Sequence, residues 1–256
     1  MRLLMMIPRS AAAIVGWCLA LAAALVSGVG CAESLTREQV QQRLASPPAD
    51  FKDLEAPGAN LSGIDFAGAS LFGANLKGAN LSEANLARCN LNVAILRDAL
   101  LVKADLRDAK LFSAVLAHAD LTKADLRGAR LMGNFERAKL EGANLERVQG
   151  GADMRNQPMG LVRLVLVGAQ LKGARLAQAN LSRADLSYAD LREADLSGVD
   201  LTKAKLVGAN FTGANLTDAT LDGAEIHHAV FGCAVGIGTV RGLETAEGRD
   251  TATFDR

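Results

Sequence analysis

The chain has 256 residues, half of them apolar and only 4% aromatic, so one long domain can hide a substantial core built from Leu and Ala rather than from large rings. Basic and acidic side chains number 28 each, which excludes both a nucleic-acid-binding surface and a strongly acidic mimic of one as a property of the whole. Neither half is polarised: residues 59–145 carry 11 basic and 9 acidic groups, and residues 161–231 carry 7 and 8.

In chain order, residues 1–32 come first. Arg2 and Arg9 precede "AAAIVGWCLALAAALVSGV", an apolar run of about 19 residues, and small residues stand after it at "GCAES". This reads as an export signal. Three outcomes stay open: cleavage at a small-x-small site, lipid attachment at Cys31, where the segment resembles a bacterial lipoprotein signal with Gly28 in the usual place of Leu, or retention as an uncleaved anchor. Each places the remainder outside the cytoplasm. Cys89 and Cys233 lie near opposite ends of the remaining chain, so no disulfide between them is expected.

Residues 33–58 read as a short helix and a linker. "LTREQVQQRLAS" puts Leu35, Val40 and Leu44 on one helical face and opens with Thr36 and Gln39 at capping-box spacing. "PPADFKDLEAP" leads from it to a repeat array, and the helix is placed to cover that array's first end.

The array is the main feature. Centres recur every five residues from Leu61 through Phe66, Leu71, Leu76, Leu81, Leu106 and Leu126 to Leu131; Phe135, Leu140 and Leu145 come after a one-residue contraction. Beyond a gap the series resumes at Leu161 and passes Leu186, Leu196 and Phe211 to Phe231. Ala stands two before most centres, Asn or Asp one before, and Gly often two after. The two apolar positions share one side of a short extended segment. From each centre to the next Ala is three residues, so a corner must intervene for both to face inward, and Gly, Asn and Asp suit such corners. The interval 146–160, "ERVQGGADMRNQPMG", separates 59–145 from 161–231 and reads either as a tolerated loop or as a projecting contact loop. Residues 232–256 show no five-residue period and read as a mobile tail.

These motifs, "ANLKG", "ANLSE", "ADLRD", "ADLTK", "ADLSY" and "ADLRE", resemble the A(D/N)LXX pattern of the pentapeptide-repeat proteins over residues 59–231. The resemblance implies an all-β fold, a right-handed quadrilateral β-helix of four repeats per turn, here preceded by a short helix. On that geometry residues twenty apart stack. Phe72, Asn92, Phe112 and Met132 then form one outward column, with Ile95 and Val115 on the neighbouring face: an apolar strip and a candidate partner surface. Asp185, Asp190, Asp195 and Asp200 face four different sides, so no acidic ladder builds up.

No nucleophile with a base, no phosphate-cradling loop and no metal-ligand spacing emerges; His227 and His228 are adjacent corner residues and His118 is isolated. The expectation is a non-catalytic exported solenoid of the bacterial cell envelope, about 40 Å long at about 4.8 Å per coil, binding an unidentified protein and touching the membrane only through its N-terminus. No cofactor and no nucleic acid are expected. Some members of the resembled family mimic DNA and bind topoisomerases; balanced charge and an export signal disfavour that here.

Overall fold

The computed structural model describes residues 35–45, 50–152 and 162–254; residues 1–32, with Cys31, lie outside them. Helix α1, Arg37–Leu44, begins at a reciprocal capping box: the Thr36 side chain accepts from the Gln39 N–H, and the Gln39 side chain accepts from the Thr36 N–H. Val40 is wholly buried, with Leu35 and Leu44 packed beside it on the core. The Leu35 N–H donates to Glu55 O at 3.0 Å and Arg37 Nη1 to Ser62 O at 2.8 Å, so the helix covers the first coil. Thr36→Ala removes the cap and should lower stability by about 1 kcal/mol in a denaturant titration.

Each five-residue repeat has the same hydrogen-bond plan. In the repeat centred on Leu106, its N–H donates to Asp125 O in the next coil at 2.7 Å, and the Asp105 N–H donates to Ala84 O in the previous one at 3.0 Å. Ala109 N–H closes a four-residue turn onto Leu106 O at 3.1 Å. The third turn residue, Asp108, has φ 57°, which is the pattern of a type II turn. The Asp105 carboxylate accepts from the Arg107 N–H at 3.0 Å, bridging the corner, and Asn or Asp does the same in most repeats. Leu and Ala thus point inward on every side. Among the described residues no polar or charged side chain is buried.

Four columns of parallel partners result. One runs Asp50, Ser70, Asn90, Lys110, Arg130, Gln149, Asn180, Asp200, Thr220, Arg241: ten rungs, spanning about 43 Å at the inter-strand spacing of about 4.8 Å. The chain winds as a right-handed quadrilateral β-helix. Within it β1, Lys110–Val115, pairs in parallel with β2, Arg130–Asn134, and β3, Val230–Phe231, with β4, Thr253–Phe254.

Three boundaries differ from the sequence reading. The column starts at Phe51, inside the expected linker of 33–58. There the inward sizes are exchanged, with Leu54 two before the centre and Ala56 at the centre, and the Phe51 and Phe66 rings meet edge to face at 5.8 Å. The interruption begins later than residue 146. Val148 is buried, and Gly150 takes a centre position, its N–H donating to Asn180 O at 2.8 Å. Leu161, expected to open the second block, lies outside the described residues; Leu164 and Leu166 are the first inward pair after the insertion.

The third difference is the C-terminus, expected as a mobile tail over 232–256. It forms a last coil with a period of six: Val235, Arg241, Glu247 and Thr253 pair with Asn215, Thr220, Glu225 and Val230. Gly236, Gly242 and Gly248 have φ of 77°, 73° and 81°, and each carbonyl accepts from the hydroxyl of Thr239, Thr245 or Thr251. The same hydroxyls accept the corner N–H groups of Asp218, Gly223 and His228 at 2.9, 3.3 and 3.2 Å. In inner coils a carbonyl of the next coil takes those N–H groups; here a Gly-x-x-Thr turn substitutes for the missing coil. Phe254 stacks on Phe231, and Phe231 on Phe211, each at 4.9 Å.

Candidate functional site

A filled column offers a ligand only its outside, so a site must be sought among corner and rung positions. Most of these are polar. The exposed large apolar side chains gather on the edge between the column of Asp50 and the column of Glu55. Phe72 is 36% exposed, Val93 46%, Ile95 40% and Phe112 41%, with Val115 and Met132 half-buried beside them. Ile95 and Val115 are parallel partners, as are Phe112 and Met132. The strip expected from twenty-residue stacking is therefore assembled across four successive coils. Lys52 Nζ lies 6.0 Å from the Phe72 ring centre and closes its lower end. Leu100, 44% exposed, stands on the next face, and Tyr188 and Val235 are exposed elsewhere.

Val93 was not among the residues singled out from sequence. It adopts φ 63°, a left-handed conformation that a β-branched residue tolerates poorly. Gly fills the equivalent corner one coil below, at Gly73, and would relieve the strain. The turn imposes this angle on the same corner of successive repeats, and among the described non-Gly residues that adopt it Val93 alone is β-branched; it stands exposed in the middle of the apolar strip.

The same edge carries the two departures from the five-residue period that precede the C-terminal coil. Between Arg130 and Asn134 one residue is missing, and β1 and β2 run straight across the corner with an irregularity between Phe112 and Val115. Gly133 makes this fit: a Cβ there would collide with the Ala114 carbonyl oxygen, so only Gly allows the shortened coil to close up. One coil on, the ladder breaks after Ala152 and resumes at Val165, again between these two columns. Strip, contraction and insertion share one edge.

Several charged groups elsewhere are paired. Arg107, Arg127 and Arg192 each grip the Asp two residues before, with Nη2 to Oδ2 at 2.6 Å. Lys205 pairs with Glu225 at 3.8 Å, and Arg175 with Glu146. The Arg107 and Arg192 side-chain hydrogen bonds hold the Asp105 and Asp190 carboxyls below the ordinary carboxylate range. A carboxyl with a folded-state pKa below its unfolded value stabilises the fold above the unfolded value, and this is lost as pH falls through the folded value. Melting temperature should therefore be level from neutral pH to the ordinary carboxylate range and fall below it. Asp105→Asn with Asp190→Asn should flatten that fall slightly, since exposed pairs contribute little.

Side chains suited to catalysis are not brought together. His118 lies several coils away from His227 and His228, and among the described residues no group of three or more His, Cys, Asp and Glu could hold a metal. Burial pushes the Cys89 thiol up to about 12, and its Sγ–H donates to Phe66 O at 2.9 Å, so it is an inert core residue. Cys89 and Cys233 are not bonded to each other.

The family described as pentapeptide repeats matches this chain in eight copies, over residues 49–86, 74–111, 165–202 and 194–232. No curated protein sequence matches the chain. Among solved structures it is similar to HetL, a pentapeptide repeat protein involved in heterocyst differentiation regulation from the cyanobacterium Nostoc sp. strain PCC 7120. That likeness has 29% identity, covers 86% of this chain and 100% of HetL, and gives a TM-score of 0.46. It is also similar to QnrB1, a plasmid-mediated fluoroquinolone resistance protein, at 18% identity over 80% of this chain and 84% of that one, with a TM-score of 0.43. A third likeness is to a pentapeptide repeat protein of the Arabidopsis thaliana thylakoid lumen, at 20% identity, 66% and 70% coverage and a TM-score of 0.27.

Proposed function

This chain belongs to the pentapeptide-repeat family, and from that premise we propose that it is a non-catalytic scaffold of the bacterial cell envelope that binds another protein through the edge carrying Phe72, Val93, Ile95 and Phe112. The reading of residues 1–32 as an export signal, with Cys31 as the lipidation candidate, supports that location. The observation that carries the reading is Val93: exposed, apolar and held at φ 63°. The turn requires the angle but not an exposed β-branched apolar side chain at it, and a partner face would cover that side chain. Covering the part of Phe72, Ile95 and Phe112 that is still exposed would contribute about 0.5–1 kcal/mol each, a small apolar centre for an interface whose polar surroundings supply register.

The rigid column supports this role. Backbone hydrogen bonds tie each coil to its neighbours, so the strip is preorganised and little freedom is lost on binding. The partner is a protein with a complementary apolar ridge, not nucleic acid, because the strip is uncharged and the total charge is zero.

The test is capture from solubilised envelope membranes with the full chain as bait, against Phe72→Ser with Phe112→Ser. Both side chains point outward, so the double variant should melt at the wild-type temperature and yet lose the captured protein. Equal capture by both baits would refute the assignment of the edge. Recovery of the chain from the cytosol with residues 1–32 intact would refute its location.

A further inference from the structure

The second block carries a run of stacked like charge. Val165, Asp185 and Lys205 are parallel partners in successive coils, so Arg163, Arg183 and Lys203, each two residues earlier, stack at one corner. Among the described residues no other corner or rung position holds three cations in succession. Neighbouring rungs are about 4.8 Å apart, and at that spacing unpaired cations repel. At two other corners a lysine finds an acid one coil away: Lys103 finds Glu83 at 3.6 Å and Lys172 finds Glu193 at 3.2 Å.

At this corner the nearby acids are engaged otherwise. The Asp185 carboxylate accepts from the Ser187 N–H and Oγ–H at 3.1 and 2.7 Å, and Glu225 pairs with Lys205 at 3.8 Å. Among the described residues none of Arg163, Arg183 and Lys203 makes an ion pair. The three side chains line a groove of about 360 Å³, which Lys205, Glu225 and Glu247 close at its far end.

We propose that Arg163, Arg183 and Lys203 form a binding site for a ligand carrying adjacent phosphate groups. Guanidinium forks match phosphate oxygens in pairs, and a lysine adds a point charge. The backbone under the ladder is fixed, with the Arg183 N–H donating to Thr202 O at 2.9 Å and the Lys203 N–H to Asp222 O at 2.8 Å, so the spacing of the three Cα positions is set before a ligand arrives. Glu225 and Glu247 repel an anion that extends further along the edge, which limits the site to a short row of phosphates. The source is either a soluble oligophosphate or phosphate-bearing lipid headgroups. The site lies on the second block, farther along the edge whose first block carries the apolar strip, and its three cations are not part of that strip.

The test uses the full chain and tripolyphosphate as probe, titrated by calorimetry at low ionic strength. One saturable site is expected, weakening as salt is added. Arg183→Gln with Lys203→Gln should lower the affinity at least about tenfold. Arg88→Gln with Lys123→Gln, which removes the same charge from exposed corners elsewhere, should leave it unchanged. The ladder variant should melt no lower than wild type, because repulsion has been relieved. No saturable binding, binding unchanged in the ladder variant, or equal loss in the control variant would overturn the proposal. Sedimentation with phosphatidylcholine vesicles, with and without phosphatidylglycerol, separates the sources. Extra binding to the anionic vesicles that the ladder variant lacks assigns lipid headgroups; vesicle binding that the variant does not alter assigns a soluble ligand.

Discussion

Leu106→Arg is expected to abolish the cooperative thermal transition of the column, while Arg107→Leu, one residue along, leaves the melting temperature nearly where it was. Leu106 is wholly buried among Leu and Ala, and no polar side chain is buried anywhere among the described residues, so an arginine there finds no counter-ion. An unpaired buried charge costs several kcal/mol, to which the larger volume adds strain of about 1–3 kcal/mol. The sum is comparable with the total stability of a typical domain. A solenoid multiplies the damage, because a broken coil removes two interfaces at once. Arg107, in contrast, lies outside the wall and reaches back to Asp105, a pair whose loss is a surface effect. Far-UV circular dichroism melts of the two variants decide it, and equal shifts would mean that inside and outside have been exchanged.

Truncation after Gly232 should have the second-largest effect, a loss of about 3 kcal/mol or a fall of about 10 °C in Tm, with self-association rising at higher protein concentration. The removed segment lays Phe254 on Phe231 and packs Ile237, Val240 and Leu243 against the last coil. It also provides the three threonine hydroxyls that take the N–H groups of Asp218, Gly223 and His228. Without it a terminal coil of parallel rungs is open to another chain. Calorimetry with light scattering reads both effects. A truncated chain that melts like wild type and stays monomeric would show that the six-residue turns do not act as a cover.

The period of five was legible because one pair of side-chain sizes fills one shape of interior, so Leu and Ala repeat wherever the coil is regular. It failed where other pairs fill the same space. Leu54 with Ala56 inverts the sizes, and Gly150 leaves its place to neighbours, so the first coil and the end of the first block did not announce themselves. The C-terminal coil was hidden by its period of six, although Gly236, Gly242 and Gly248 paired with Thr239, Thr245 and Thr251 were visible in the sequence. Of the partner edge, Phe72, Ile95, Phe112, Val115 and Met132 came from stacking alone. Val93 did not, because its mark is a backbone angle. The Arg163, Arg183 and Lys203 ladder was also spaced by twenty. What sequence could not tell was whether acids paired with it.

Residue-resolved amide hydrogen exchange tests the column most directly. In each inner repeat the N–H of the centre, of the residue before it and of the residue two after it bonds to another coil, and the Ala N–H closes the turn. The N–H just after the centre, as in Lys77, Arg107, Thr122 and Ser197, has only a side-chain acceptor. The expected result is one rapidly exchanging amide in every five, in phase from Lys77 to Thr217, with the phase moved once at the contraction and once at the insertion. Unbroken protection across successive repeats, as in an α-helix, or protection confined to one of the two blocks, would contradict a single continuous quadrilateral column.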